Sequence, residues 1–303
     1  MEILNNRCFD LLVYIENCQG KLWNADEATS VMHIEKESIE KCYRILLEEE
    51  YINSEEVMKV TEKGYEYLEP YRVKRAVLLA AGFGSRMQPV TLETPKPLVN
   101  VNGKVIIETL IAALEDKGIE DITIVTGYLE EKFDGLKSKY PDIKFVHNGR
   151  YSEENNISSA ILVKDLYGGA YVMDADLLLK NKDIIRKYEK YSNYLGIWVD
   201  ETDDWRLEIT DNRVTGMSQG GRDTYLMVGL SYWTQEDGKS FSEDIEALYS
   251  REEGKQMYWD DVVLTAFNEH YNIIARPCTL DDITEIDSIK ELAEIDSSYK
   301  KYV

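Results

Sequence analysis

A glycine pair directly after an apolar run is the feature of this sequence best suited to hold a phosphate. The run Val77–Ala81 leads into Gly82-Phe83-Gly84, and Arg86 follows two residues later. Glycines let backbone N–H groups approach an anion without obstruction by a Cβ, and an arginine adds a planar charged donor. No lysine follows the glycines as a Walker loop requires, and Met87 stands where a dinucleotide fingerprint needs its third glycine. The remaining alternative is a structural turn without a ligand.

The residues around this pair resemble the signature of the nucleotidyltransferases. In that family A-A-G-x-G-[ST]-R is followed closely by P-K-P, and Ala80–Arg86 and Pro95–Pro97 match both motifs. The resemblance implies that the loop holds a nucleoside triphosphate, that Arg86 contacts its β and γ phosphates, and that Lys96 bridges the α-phosphate and an incoming anion. The nucleotide-binding candidates on the loop are Ala80, Ala81, Gly82, Phe83, Gly84 and Ser85.

Two aspartates far apart in the chain are candidates for holding Mg²⁺. A metal is expected because a triphosphate and an anionic nucleophile repel each other, and Mg²⁺ prefers oxygen ligands. The resemblance implies that Asp176, in a D-A-D segment after a strand, and Asp287, in E-I-D near the C-terminus, are the ligands. Asp174 would then lie behind Asp176 or point away, and it is counted among the nucleotide-binding candidates. The alternative for the aspartates is a structural role, and Asp287 could cap the last helix.

Seven further segments narrow the resemblance to bacterial CTP:phosphocholine cytidylyltransferases. They are Val125–Tyr128, Glu154–Ser159, Val172–Asp176, Asp204-Trp205, Gly229–Trp233, Tyr258–Asp261 and Glu285–Ser288. The resemblance implies that CTP and phosphocholine react to give CDP-choline and pyrophosphate. The substrate's own phosphate would be the nucleophile, so no general base is required.

Aromatic and acidic residues in the second half of the chain suit a choline group. A trimethylammonium donates no hydrogen bonds and is recognised by aromatic faces and carboxylates. The acceptor-binding candidates are Trp205, Tyr232, Tyr258, Trp259, Asp260 and Glu285. Aromatic residues on strands and helices are more often core than cage, so a structural role stays open for each.

The cytosine has to be recognised by the loop backbone and by polar groups near it. Asn155, Ser158 and Ser159 open a predicted helix and could contact the nucleotide, with Tyr128 as a wall of the same pocket. Helix capping is the alternative role for these polar residues.

Residues 73–303 alternate between strands and helices, which predicts an α/β fold with parallel β-α-β units. We expect a three-layer, Rossmann-like nucleotidyltransferase domain with a mixed, mainly parallel sheet and the site at the carboxyl ends of its strands. The pattern becomes richer in strands after about Tyr194. The specific expectations include a strand at Arg75–Ala80, another at Asp121–Thr126, a hairpin turning at Asp211-Asn212, and helices at Trp259–His270 and Ser288–Lys300.

Residues 1–72 form a separate predicted domain that resembles a winged helix-turn-helix module. A short helix, a turn near His33–Glu35 and a longer helix ending near Glu49 precede a short strand that turns into a helix. These residues contain 8 basic and 16 acidic side chains, a net charge of −8. That sign disfavours contact with DNA phosphates, so we expect dimerisation or another protein contact.

Overall composition excludes several classes of protein. The 303-residue chain has a formal net charge of −22, which argues against general affinity for nucleic acid or anionic membranes. Neither a signal peptide nor a long apolar run is evident, so a cytoplasmic location is expected. The four cysteines have no C-x-x-C spacing and are expected to be reduced thiols.

Two other functions stay open at the level of sequence. The same chemistry could act on 2-aminoethylphosphonate or phosphoethanolamine, whose primary ammonium favours hydrogen-bond acceptors over aromatic faces. The protein could instead be a transcriptional regulator that senses CTP or a choline metabolite. The lysine and aspartates of an active transferase argue against the second alternative.

Overall fold

The structure is a computed structural model that describes residues 4–18, 20–53 and 57–303. The chain divides into two compact units, Met1–Arg72 with Arg186–Glu189, and Val73–Ile185 with Lys190–Val303. The four-residue segment falls within the second predicted domain, yet it groups with the first unit because Tyr188 is fully buried in that unit's core.

The first unit consists of helices followed by a small hairpin. Asn24 caps the second helix by accepting hydrogen bonds from the N–H groups of Asp26 and Glu27, and His33 ends it in the left-handed conformation, with φ 53°. The two predicted helices and the turn between them are present, while the assignment as a winged helix-turn-helix module stays a prediction. The elements are α1 (Asn6–Asn17), α2 (Ala25–Met32), α3 (Lys36–Glu48), β1 (Ile52–Asn53), β2 (Lys59–Val60) and α4 (Glu62–Leu68).

The second unit is built on a mixed, mainly parallel sheet, as the sequence predicts. Its elements are β3 (Arg75–Ala80), β4 (Asn100–Val101), β5 (Lys104–Val105), α5 (Ile106–Asp116), β6 (Asp121–Thr126), α6 (Asp134–Lys139), β7 (Lys144–His147), α7 (Ile157–Ala160), β8 (Ala170–Asp174), β9 (Leu177–Leu179), β10 (Asn193–Thr210), β11 (Arg213–Trp233), α8 (Gln235–Tyr249), β12 (Ile274–Cys278), β13 (Ile283–Glu285) and α9 (Ile289–Ile295). The strand order in the main sheet is β10-β12-β11-β8-β3-β6-β7. Strands β8, β3, β6 and β7 run parallel, and β11 pairs with β8 in the antiparallel direction.

Apolar side chains cover both faces of this sheet. On β3, Ala76, Leu78 and Ala80 belong to the core that includes α5, whereas Val77 and Leu79 belong to the core that includes α7 and α8. A strand buried on both faces reads as a continuous apolar run, which is why the sequence predicts β3 so clearly. The result is the expected arrangement of three layers.

Strands β10 and β11 form one long hairpin that extends beyond the sheet. Asp211 and Asn212 both have positive φ, 49° and 65°, which fits a two-residue turn of the type that matches strand twist. Several register shifts bend the hairpin between Thr202 and Ile209. The predicted turn is confirmed, and the bent segment carries Trp205 toward the strand ends.

Two predicted helices are shorter than expected. Within the predicted helix Trp259–His270, residues 260–266 and Asn268–His270 are helical, and Phe267 interrupts them because it leaves the helical region, with φ −137° and ψ 28°. The last helix ends at Ile295, since Asp296 is extended and accepts a hydrogen bond from the N–H of Ser298. Within the described part of the chain, no helix has the length and apolar character that crossing a membrane requires.

Candidate active site

A cavity of about 750 Å³ opens at the carboxyl ends of β3 and β8 in the second unit. The glycine loop after β3 forms one wall, and the acidic residues after β8 and β13 form another. The bent hairpin of β10 and β11 contributes Trp205 and Met227 from the far side. Carboxyl ends of parallel strands are the usual position for ligands in sheets of this kind.

The glycine loop presents backbone donors to this cavity. Among the residues that the structure describes, none accepts a hydrogen bond from the N–H groups of Gly82, Phe83, Gly84 or Ser85. Gly84 has φ 60°, and a Cβ there would lie 3.0 Å from Lys96 Cβ and 3.1 Å from Thr91 Cγ2. Thr91 Oγ1 donates to the Gly84 carbonyl at 2.8 Å and holds the turn. The loop is therefore fixed with its donors unpaired, as an anion site requires.

Lys96 is the buried cation of the site. Its Nζ lies 2.6 Å from Asp176 Oδ2 and 2.7 Å from Asp287 Oδ1, and Arg86 Nη2 lies 2.9 Å from the same Asp287 oxygen. Burial by itself lowers the pKa of the Lys96 ammonium, but the charges of Asp176 and Asp287 outweigh it and raise the pKa above its ordinary value. Lys96 is therefore charged at neutral pH.

Three carboxylates beside Lys96 could hold a divalent cation. Asp176, Glu285 and Asp287 each offer an oxygen, and these oxygens lie within 4.8 Å of one another. Asp176 Oδ1 is buried, and no residue in the described ranges donates a hydrogen bond to it. A buried carboxylate oxygen without a donor, in an all-oxygen set, suits Mg²⁺. The residues present therefore fit a metal.

The helix-capping alternative for Asp287 does not hold in the structure. Ser288 is the N-cap of α9, and its side chain forms a capping box with Glu291. Asp287 contributes only its backbone N–H, which donates to Glu291 Oε2 at 2.7 Å. Its carboxylate is left for Lys96 and Arg86.

Asp174 lies at the end of β8 against the neighbouring strand. A Cβ on Gly229 of β11 would stand 2.2 Å from Asp174 Oδ2, so only glycine leaves room for this carboxyl group. Desolvation raises the pKa of Asp174 well above its ordinary value, and the charges of Asp176 and Asp260 add to the effect. The position of this acid thus depends on a residue 55 positions later.

Aromatic and further acidic side chains also line the cavity. Trp205 and Tyr258 line it, with ring centroids 6.0 Å apart and planes at 68°. Asp204 and Asp260 line the same cavity, together with Glu285 of the carboxylate cluster. Aromatic rings and carboxylates are the groups that could contact an organic cation.

Asp260 is nearly inaccessible to solvent and is held by a buried tyrosine. Tyr194 donates its hydroxyl hydrogen to Asp260 Oδ1 at 2.7 Å. Burial raises the pKa of Asp260 to about 7; the hydrogen bond from Tyr194 acts against this shift and the charge of Asp261 reinforces it. When the pKa of a carboxyl group is higher in the folded state than in the unfolded state, the free energy of unfolding falls as pH rises between these two pKa values.

We expect Asp260→Asn to be stabilised relative to the wild type more at pH 8 than at pH 4.5. Raising the pKa of Asp260 from 3.8 to about 7 corresponds to roughly 4 kcal/mol in the free energy of unfolding, which is an upper value for this group. Denaturant unfolding at the two pH values measures the effect, with Asp142→Asn, an exposed loop residue, as the control. An equal change for Asp260→Asn at both pH values would contradict the assignment.

A buried polar cluster forms the floor beside the glycine loop. Asn148, Ser158 and Ser159 are each about 2% exposed and line the cavity. Asn155 also lines it, but its side-chain amide donates to the carbonyl of Gln256, so part of its role is to hold that neighbouring segment. These residues could contact the base or ribose of a nucleotide.

Three residues singled out from the sequence lie outside the cavity. Tyr232 pairs with Tyr171 across β11 and β8, and their rings pack edge to face in the core at 5.6 Å. Trp259 is fully buried and packs against Trp233 and Phe241. Tyr128 does not line the cavity, and its ring packs against that of Phe83 with the ring centroids 5.1 Å apart. The expected aromatic cage is therefore corrected to two rings, Trp205 and Tyr258.

The remaining candidates meet in the one cavity, together with residues that sequence reasoning missed. Those brought together are Ala80, Ala81, Gly82, Phe83, Gly84, Ser85, Arg86, Lys96, Asn155, Ser158, Ser159, Asp174, Asp176, Trp205, Tyr258, Asp260, Glu285 and Asp287. Those missed are Asn148, Tyr151, Glu154, Met217, Gln219, Met227 and Gly229. Asn148 follows β7 directly, and position at the end of a parallel strand could have indicated it.

A loop with unpaired N–H donors, a buried lysine and an acidic cluster lie at the strand ends of a mainly parallel sheet. This combination defines an enzyme that transfers a nucleotidyl or phosphoryl group. The profile of the nucleotidyl transferase family matches residues 75–207. The 2-aminoethylphosphonate cytidylyltransferase of Lancefieldella rimae is 39% identical over 228 residues, which cover 74% of this chain and 92% of that protein. The choline-phosphate cytidylyltransferase of Streptococcus pneumoniae is 34% identical, covering 75% and 98%.

A solved structure agrees with these sequence comparisons. The structure of CTP:phosphocholine cytidylyltransferase from Streptococcus pneumoniae superimposes with a TM-score of 0.70 at 34% identity, over 75% of this chain and 99% of that one. The chain belongs to the nucleotidyltransferase family, and the protein is a nucleotidyltransferase.

Proposed function

We propose that the protein is a cytidylyltransferase that joins CTP to a small phosphate or phosphonate carrying an ammonium group and releases pyrophosphate. The observation that supports this best is one cavity lined both by the glycine loop with its unpaired N–H donors, beside Lys96 and Arg86, and by aromatic and carboxylate side chains. The choice of CTP as the nucleotide is supported by the cytidylyltransferases among the similar proteins.

The cavity's own residues account for the chemistry by alignment and charge neutralisation. An oxygen of the acceptor's phosphate or phosphonate attacks the α-phosphorus, and the bond from that phosphorus to the pyrophosphate oxygen breaks. Lys96 neutralises the approaching anion, and Arg86 and the N–H groups of Gly82–Ser85 hold the β and γ phosphates. Because the nucleophile is already an anion, no side chain has to remove a proton.

Mg²⁺ would be held by Asp176 and Asp287, with Glu285 beside them. When bound, it supplies positive charge that reduces repulsion between the triphosphate and the acceptor. The arrangement of Lys96 and Arg86 around these carboxylates supplies charge of the same sign.

The acceptor we favour is 2-aminoethylphosphonate, with phosphocholine as the second candidate. A primary ammonium needs hydrogen-bond acceptors, and Asp204, Asp260 and Glu285 supply them. Phosphocholine is supported by the faces of Trp205 and Tyr258, but loss of Tyr232 and Trp259 from the cage leaves only two rings for a trimethylammonium. Relatives with each activity are similar to this chain.

Pyrophosphate release with Mg²⁺ and CTP, offering 2-aminoethylphosphonate, phosphocholine and phosphoethanolamine in parallel, tests the proposal. We expect turnover with an ammonium-bearing acceptor and a preference for 2-aminoethylphosphonate. Trp205→Ala should lower kcat/KM for phosphocholine roughly tenfold more than for 2-aminoethylphosphonate, since cation–π contact matters most for the quaternary group.

Trp198→Ala is the matched control, because Trp198 is a half-exposed tryptophan on the same strand that does not line the cavity. A preference for phosphocholine would retain the transferase and reverse the choice of acceptor. Absence of turnover with every ammonium-bearing acceptor would refute the proposed cation site.

A further inference from the structure

The side-chain amide of Asn148 has a fixed orientation in the cavity floor. Its Oδ1 accepts a hydrogen bond from the backbone N–H of Arg150 at 2.8 Å, and a backbone N–H can only donate. Its Nδ2 therefore faces Ser158 Oγ at 3.0 Å and Ser159 Oγ at 2.9 Å, and uses both hydrogens there. All three residues are almost completely buried, so bulk water does not compete for these hydrogen bonds.

The two serines differ in whether their hydroxyl hydrogen remains available for a hydrogen bond to a ligand. Ser158 accepts from Asn148 and donates its hydroxyl hydrogen to the Asn155 carbonyl at 2.7 Å. Ser159 also accepts from Asn148, but no residue within the described ranges accepts its hydroxyl hydrogen. Since Ser159 lines the cavity, its hydroxyl presents a hydrogen-bond donor to whatever occupies that space.

We infer that Asn148 determines nucleobase specificity by holding the Ser159 hydroxyl as a donor to ring atom N3 of cytosine. N3 of cytosine carries a lone pair and accepts, whereas N3 of uracil carries a hydrogen and donates. Ser159 can donate to the first base, whereas with the second its remaining lone pair can accept only if its hydrogen turns to a position where no described residue accepts it. Asn148 is thus a positioning residue, and the inference rests on the proposed use of CTP.

Reversing the polarity of the cluster tests the inference. Asn148→Asp keeps the shape and still accepts from the Arg150 N–H, but its second oxygen accepts where Nδ2 donated. The Ser159 hydrogen then turns toward the carboxylate, and its lone pairs face the cavity, where they suit the N3–H of uracil. We expect the ratio of kcat/KM for CTP to that for UTP to fall by about tenfold or more.

Ser159→Ala provides a second test that adds no charge. It removes the donor and should also lower the CTP-to-UTP ratio, with CTP binding weakened and UTP binding nearly unchanged in calorimetry without acceptor. Thr126→Val is the control, because Thr126 is a buried neighbour whose hydroxyl has no hydrogen-bond partner in the described residues and does not line the cavity. Its ratio should match the wild type.

The wild-type ratio separates failure of this inference from failure of the proposed function. A wild type that does not prefer CTP overturns the proposed nucleotide and the inference together. A wild type that prefers CTP, with Ser159→Ala and Asn148→Asp ratios within twofold of it, overturns the inference alone. A general fall in activity with an unchanged ratio would show a purely structural role for Asn148.

Discussion

Replacing Lys96 by methionine should lower kcat for pyrophosphate release by about a hundredfold to a thousandfold. This is the range seen when an enzyme loses one preorganised hydrogen-bond donor that stabilises charge in the transition state. Methionine keeps the length and apolar stem of lysine but removes the ammonium. That ammonium is nine-tenths buried between Asp176 and Asp287, so no bulk cation replaces it without rearrangement. The acceptor anion would then approach the α-phosphorus against uncompensated negative charge.

The control for this substitution is Lys104→Met, which changes an exposed lysine on β5 and should leave turnover at the wild-type level. Breaking a buried ion pair costs about 3–5 kcal/mol, so thermal unfolding of both variants must accompany the assay. A folded Lys96→Met protein that retains a tenth or more of wild-type turnover would remove Lys96 from the mechanism.

Gly229→Ala should lower kcat/KM by roughly a hundredfold, because a 1 Å displacement near the reacting groups can cost that much. The new methyl group would stand 2.2 Å from Asp174 Oδ2 and 3.0 Å from Asp174 Cβ. No flexible end of a side chain can absorb this overlap, since the Asp174 carboxyl is short and enclosed. Asp174 must therefore move, and the carboxylates after β8 move with it.

Gly216→Ala is the matched control on the same strand. A Cβ at Gly216 meets the end of the Glu208 side chain at 3.0 Å, and that flexible carboxylate can turn away. Pyrophosphate release measures activity for both variants, and circular dichroism shows that β11 still forms. Equal activities of the two alanine variants would show that the position of Asp174 does not matter.

The sheet strands were predictable because their signal is local. Arg75–Ala80 and Asp121–Thr126 appear in the structure with the bounds that their apolar runs predict, since strands buried on both faces have few alternatives. The turn at Asp211-Asn212 was predictable for a similar reason, as these residues tolerate positive φ. The helix predicted over Trp259–His270 is present only in two pieces, because Phe267 leaves the helical region between them.

The sequence by itself determined which loop, lysine and acidic residues meet in the cavity, because each motif consists of a few adjacent residues. Only the tertiary structure decided which aromatic rings face the cavity, since Tyr258 and Trp259 are neighbours in sequence yet one lines the cavity and the other is fully buried. It also decided the partners of Asp174 and Ser159. Gly229 reaches Asp174 from the neighbouring strand, and Asn148 reaches Ser159 from the loop after β7. No local pattern encodes a contact between separate elements of the chain.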